Sequence, residues 1–303
     1  MKFGLLTYRD SHNLGDEIQS IAAQQFLPRL DVTVDREELS SFPAGDPAAV
    51  ILNGWFMHHP EAWPPGSSIR PLLTSMHITL AVSPQNTTKV VPGHDLMSGE
   101  KAEYFRRWGP VGGRDWHTVE LLESHGIPAF WSGCLTLTLE GERPAPARED
   151  VVYAVDLGEA VFQHLAARCR SPIERLSHHF PPANAQVRFD RARDLLARYA
   201  RAKAVVTNRL HCALPCLALG TPVLLIESAP DRYRFTGLRD LMHHVDRHCF
   251  LADRHDFDFA SPPANPTYHR TLRRALGDGV RRFIAAASEP CDFASVDRPP
   301  GGC

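Results

Sequence analysis

Three short stretches carry side chains suited to holding an anion and moving a proton. They are Thr207-Asn208-Arg209-Leu210-His211, Asn13 with Gly15 and Asp16, and Arg114-Asp115 after a pair of glycines. A guanidinium grips phosphate or carboxylate through two parallel hydrogen bonds. An imidazole can give or take a proton near neutral pH, and a carboxylate can take one from a hydroxyl. Each residue also has a plain structural reading. Arg209 can pair with a nearby carboxylate, His211 can cap a helix or sit in a core, and Asn13 and Asp16 can cap a helix. Arg114 can pair with Asp115 while Asp115 caps the helix that follows.

These side chains are useful together only if strands deliver them to the edge of a sheet. The stretch Ala202 to Glu227 reads as strand, turn, helix, turn, strand: Lys203–Thr207 is apolar, Cys212–Leu219 is helical and closed by Gly220, and Val223–Ile226 is apolar again. Such a βαβ unit leaves Asn208, Arg209 and Leu210 beside free backbone N–H groups at the carboxyl end of a strand, where open α/β sheets bind ligands. Proline is tolerated in the first turn of a helix, so Pro215 predicts a start near His211 or Cys212. Lys2–Thr7 reads as a first strand, and Ile18, Ile21, Ala22 and Phe26 recur at helical spacing. The loop between them carries Arg9, His12, Asn13 and Asp16, with Gly15 permitting close approach of a ligand to the backbone.

Residues 31–36 and 49–53 read as further strands, the second ending at Asn53-Gly54-Trp55. The proline-rich segment His58–Pro71 is too long for a simple connection; with Trp55, its Trp63, His58 and His59 form either a sugar-stacking surface or a small satellite core. His77–Ser83 reads as a strand and Glu100–Trp108 as a helix. Val111–Asp115 leads into an amphipathic helix, Trp116–His125, stopped by Gly126. Ser132–Leu139 closes a first half, and 140–150, with prolines and alternating charge, reads as a linker. A second α/β pattern follows: strand Val151–Asp156, helix Glu159–Arg168, strand Ile173–His178, helix Arg188–Ala202 and the βαβ unit. Pro230 to Leu241 holds Arg232, Arg234 and Arg239, either aids to ligand binding or exposed arginines on a loop. A helix runs from Thr267 to about Ala287, and the Pro- and Gly-rich tail 290–303 is expected to be poorly ordered.

TNRLH from Thr207, HNLGDEIQSIAAQQFL from His12, and VGGRDWHTVELL from Val111 followed by SGCLTLTL from Ser132 together resemble the polysaccharide pyruvyl transferase family. The likeness runs over most of residues 1–250, in the family's order. It implies two Rossmann-like α/β domains facing a cleft, as in GT-B glycosyltransferases. Residues 1–140 would be the amino-terminal, acceptor-side domain and contribute Arg114; residues 151–265 would be the donor-side domain, and helix 266–289 would cross back. It also implies phosphoenolpyruvate as donor and transfer of its pyruvyl group to a hydroxylated, sugar-containing acceptor as a ketal, with phosphate released and no further cofactor. Arg114, Arg209, Leu210 and His211 then become donor ligands, with His211 the proton donor and Asp16 the base. Asn13, Asn53, Arg232 and Arg234 become acceptor-side or secondary residues. Pro215, Cys216 and the SGC tripeptide depart from the family's pattern and leave open a polymer, a lipid-linked sugar or a small natural product as acceptor.

Composition narrows the rest. At 303 residues, 43% hydrophobic and 22% charged, the chain suits two ordinary cores. A formal charge of −2 does not favour nucleic acid. No apolar run approaches the eighteen or so residues of a membrane span, and the start lacks a secretory core, so a soluble cytoplasmic protein is expected. Seven cysteines without CxxC pairs fit buried small residues in a reducing compartment, and the adjacent histidine pairs 58–59, 178–179 and 243–244 point apart, giving no metal spacing. Two other functions share this pattern: a GT-B glycosyltransferase using a nucleotide sugar, with Glu227 for the nucleoside, and a binding subunit without turnover.

Overall fold

Strands whose residues are apolar throughout belong in sheets covered on both faces, and such sheets are parallel. The computed structural model, which describes residues 1–80, 92–227 and 233–289, is built from sheets of that kind. In chain order the elements are β1 (Lys2–Thr7), α1 (Gly15–Gln24), β2 (Val32–Asp35), β3 (Ala48–Leu52), β4 (Ile69–Leu73), α2 (Pro92–Leu96), α3 (Gly99–Trp108), β5 (Val111–Gly113), α4 (Trp116–Ser124) and β6 (Ala129–Trp131). There follow β7 (Val152–Val155), α5 (Glu159–Ala166), β8 (Ile173–Leu176), α6 (Ala185–Arg201), β9 (Ala204–Thr207), α7 (Leu210–Leu219), β10 (Val223–Glu227), β11 (His243–Asp246), α8 (Arg247–Leu251) and α9 (His269–Ser288).

The chain divides into two units. The first holds Met1–Tyr8, Ala23–Ser132 and the residues from Leu276 onward; the second holds Arg9–Ala22 and Gly133–Ala275. In the first unit a parallel sheet runs β2-β1-β3-β4, and β5 pairs with β6 separately. Its core includes Leu6, Leu52, Trp63, Phe105 and Leu122. In the second unit the order is β11-β10-β9-β7-β8, again parallel, over a core including Val206, Leu224, Ile226 and Phe250. Both sheets grow from a first strand outward in two directions, and the place where the winding reverses is where a doubly wound sheet opens a ligand crevice at its carboxyl edge. In the second unit that place lies between β7 and β9.

Several expectations need correction. The fourth strand is Ile69–Leu73, overlapping the end of the segment read as a long loop, and His77–Leu80, the described part of the run read as a strand, is not one; residues 81–83 of that run lie outside the described residues. Pro71 misled that reading: it would cost a ladder bond in a central strand, but among the described residues β4 pairs with β3 alone and lies at the edge. After it Ser75, at φ 53°, turns the chain, and Met76 and His77 make only isolated bridges, to Gly113 and Trp55. Helix α7 begins at Leu210, earlier than Pro215 suggested. The proline therefore lies in the second turn and removes the ladder bond to the His211 carbonyl. Complete burial of Cys212–Cys216 holds the helix together in spite of that loss. Strands β6 and β11 and helix α8 were not foreseen.

Trp63 is not a stacking surface. It is buried, with its ring 4.8 Å from that of Phe105, which is the satellite-core reading. Cys134, Cys212 and Cys216 are buried, and Cys169 and Cys249 are half-buried free thiols. Arg232 and the tail 290–303 lie outside the described residues.

Candidate functional site

Three connections meet at the carboxyl edge of the second unit's sheet: the one leaving β7, the one leaving β8 and the turn from β9 into α7. Thr207 ends β9 and its hydroxyl accepts the Arg209 amide at 2.9 Å, which folds the turn tightly. Arg209 keeps extended backbone and occupies the cap position of α7, and Leu210, buried, is the first helical residue. At the other end Gly220 adopts φ 73°, where L side chains are strained, and its N–H closes the helix onto Cys216 and Leu217.

The Arg209 Nε lies 2.9 Å from Asp156 Oδ2, a contact that spans the crevice between β7 and β9. Asp156 follows β7 at φ 54°, and its carboxylate also accepts Ser177 Oγ at 2.6 Å and the His178 amide at 3.1 Å. Burial opposes its charge, but the Ser177 hydroxyl, the Arg209 guanidinium and the His178 amide together hold the carboxyl below its usual range. The carboxylate pairing envisaged for Arg209 is therefore real. It engages one edge of a guanidinium whose side chain is 46% exposed, so solvent or an anion can reach the rest.

The second wall of the site is the loop before α1, which belongs to this unit although β1 belongs to the first. Leu14 N–H donates to His178 O at 2.8 Å and Phe180 N–H to His12 O at 2.9 Å, making an antiparallel bridge between Asn13 and His179. The rings of His12 and His179 stack at 5.5 Å. Asn13 Oδ1 accepts the Gly15 amide at 3.1 Å, and Asp16, 6% exposed, accepts Ser11 Oγ at 2.6 Å. A Cβ on Gly15 would lie 3.1 Å from both Cβ and Nδ1 of His211, so the half-buried imidazole packs directly on this glycine. Beneath the loop, Glu17 and Arg188 form a bidentate pair at 2.6 and 2.9 Å, with side chains 2% and 1% exposed. Arg188 also donates to the carbonyls of Phe180 and Pro181.

Asn13, Asp16, Arg209, Leu210 and His211 are thus brought into one unit. Arg114 and Asn53 belong to the first unit, both buried, at the ends of β5 and β3. Arg114 Nε lies 3.3 Å from Asp115 Oδ2, and Asp115 caps α4 through the Thr118 amide at 3.0 Å. Arg234 is half-buried on the loop after β10. Glu227 is engaged by Arg239 at 3.4 Å and His244 at 3.7 Å. Asp156, Ser177, Glu17, Arg188 and His77 were missed. Asp156 alone had a readable signal, a carboxylate ending a strand that neighbours the Arg209 turn; the others depend on which loops fold against each other. Among the described residues there is no cluster of His, Cys, Asp or Glu that could hold a metal ion, and no helix long and apolar enough to cross a membrane.

The sequence profile of one family, described as Polysaccharide pyruvyl transferase, matches residues 13–230. That span contains all three turns discussed above. No curated protein matches the chain. Among solved structures, a functionally uncharacterised protein from Klebsiella pneumoniae subsp. pneumoniae NTUH-K2044 is similar at a TM-score of 0.49 and 12% identity, over 80% of this chain and 92% of that one.

Proposed function

Because the chain belongs to the polysaccharide pyruvyl transferase family, we propose that it transfers the pyruvyl group of phosphoenolpyruvate to two hydroxyls of a sugar-containing acceptor, and that its two units are the halves of a GT-B-like transferase. The observation that carries this reading is His211 packed on Gly15 beside the half-exposed Arg209 at the reversal point of the second unit's sheet. An anionic donor there would meet a guanidinium, the amino end of α7 and an imidazole in one place.

His211 protonates the methylene carbon of the enol ester, leaving a cationic carbon that the first acceptor hydroxyl attacks. Phosphate leaves, and a second hydroxyl of the same acceptor closes the ketal. Of the two hydroxyl protons, one restores His211 and the other departs with phosphate. Asp16 takes the first of them from the attacking hydroxyl and gives it up again to reprotonate His211, and its hydrogen bond from Ser11 fixes the carboxylate. Arg209 offsets the donor's charge. Arg114 joins it as a donor ligand on the strength of the family motif; Asn13, Asn53, Arg232 and Arg234 are secondary.

A nucleotide-sugar transferase would want a carboxylate free to bind ribose, and Glu227 is already held by Arg239 and His244. The test is thermal shift and calorimetry with phosphoenolpyruvate, a nucleotide sugar and inorganic phosphate. Stabilisation by phosphoenolpyruvate that weakens with salt, together with competition by phosphate, supports the proposal. Stabilisation by the nucleotide sugar alone replaces it with the glycosyltransferase reading, and no response to any of the three leaves a binding subunit.

A further inference from the structure

Asp115 sits at the junction of three groups in the first unit. Its Oδ1 is committed to α4, accepting the Thr118 amide at 3.0 Å and the Thr118 hydroxyl at 2.8 Å. Its Oδ2 is shared: His77 Nδ1 lies at 2.7 Å and Arg114 Nε at 3.3 Å. The side chains of His77 and Asp115 are both 0% exposed, and that of Arg114 is 3% exposed. The backbone holds the same three residues in register, since Arg114 N–H donates to Met76 O at 2.7 Å and His77 N–H donates to Gly54 O at 2.9 Å. An ionised carboxylate only accepts, so the Nδ1 of His77 carries the proton and donates it to Asp115.

We infer that His77 is a positioning residue, which by donating to Asp115 Oδ2 fixes the carboxylate plane against which the Arg114 guanidinium is oriented. A helix cap alone holds one oxygen and leaves the carboxylate free to rotate about the Cβ–Cγ bond. The imidazole supplies the second anchor. With both oxygens held, the Arg114 guanidinium faces a carboxylate of fixed position, its Nε 3.3 Å from Oδ2 as an ion pair rather than a hydrogen bond, so that the charge it is drawn to stays in one place. Buried charge-assisted contacts of this kind are expensive to leave unmade, so loss of the imidazole N–H would be felt at Arg114 rather than absorbed by solvent.

This inference rests on the reading of Arg114 as a donor ligand, and its test separates the two. Asparagine places an amide N–H where the imidazole Nδ1–H lies, whereas leucine has none. In His77→Asn the affinity for phosphoenolpyruvate, by calorimetry, stays within about twofold of the unsubstituted protein; in His77→Leu it falls about tenfold. If His77→Leu does not fold, His77→Gln takes its place, because its longer amide reaches the Nε2 position and leaves the Nδ1 position empty. Independently of any donor, solvent exchange of the Arg114 Nε–H, followed by NMR, accelerates about tenfold in the leucine variant and is unchanged in the asparagine variant. Absence of phosphoenolpyruvate binding by the unsubstituted protein overturns the donor reading and leaves the exchange measurement to judge His77. Unaltered exchange in His77→Leu, or equal acceleration in His77→Asn, overturns the inference.

Discussion

Replacing Arg188 by methionine isolates the physics that holds the loop before α1 in place. The substitution leaves Glu17 buried, with its side chain 2% exposed, and strips it of both hydrogen bonds. An unpaired buried carboxylate protonates instead of staying charged. Holding a carboxyl of ordinary pKa 4.5 neutral costs about 3.4 kcal/mol at pH 7 and about 0.7 kcal/mol at pH 5. The Phe180 and Pro181 carbonyls also lose a donor, at roughly 1 kcal/mol each. Arg188→Met should therefore destabilise by at most about 5 kcal/mol at pH 7 and about 3 kcal/mol at pH 5, each less whatever the raised Glu17 carboxyl already costs the unsubstituted protein at that pH.

Burial already pushes the Glu17 carboxyl above its usual range in spite of the Arg188 pair. A raised pKa means that the site favours folding most below pH 4.5, and that this contribution is lost as pH rises through the raised value. The pair thus contributes little net stability at neutral pH, and Glu17→Leu combined with Arg188→Met should recover most of what Arg188→Met loses. Urea unfolding followed by circular dichroism at the two pH values measures each quantity. Equal losses at pH 7 and pH 5 would refute the buried-carboxylate argument, and a loss below about 1 kcal/mol at pH 7 would show the pair to be solvated.

Burial works against the Asp115 charge, but His77, Arg114 and Thr118 outweigh it and bring the carboxyl to about 2. Its stability contribution, about 2 kcal/mol, should be complete above pH 3.8 and vanish as pH falls toward 2; Asp115→Asn should remove that dependence from an acid titration of folding. Gly15→Ala should fold, yet push the His211 ring by a few tenths of an ångström and lower turnover at least tenfold, read against its melting temperature. Arg209→Lys should weaken phosphoenolpyruvate binding by about 1 to 3 kcal/mol in calorimetry, because an ammonium cannot reproduce the fork; unchanged affinity would confine Arg209 to its pair with Asp156. His211→Gln should cut turnover by about 10²- to 10⁴-fold, with donor affinity falling less, and a rate near that of the unsubstituted enzyme would make His211 a ligand only. Asp16→Asn should lower turnover while leaving phosphoenolpyruvate stabilisation in place.

Most of the second unit could be read from sequence because its signals are local. The all-apolar runs that became β7, β9 and β10, the stop at Gly220 and the Arg209 turn each depend on a handful of neighbouring residues. In the first unit the same logic gave β1, β3 and α4, with Asp115 as its cap. It failed at β4, where a proline counts against a strand unless the strand lies at an edge, and edge position is not local information.

The composition of the candidate site was legible, but its grouping was not. Sequence order put Asp16 with the first half of the chain, whereas contacts put Arg9–Ala22 with the second unit, on Gly15's close approach to His211 and on the Glu17–Arg188 pair. Arg188 read only as the first residue of a helix and is wholly buried; Asp156 and His77 read as strand residues and hold the two arginines' surroundings in place. A periodicity reports which side of an element is apolar. It does not report which distant carboxylate will meet a guanidinium once both are dehydrated, because that energy exists only after the loops have closed and water has been excluded.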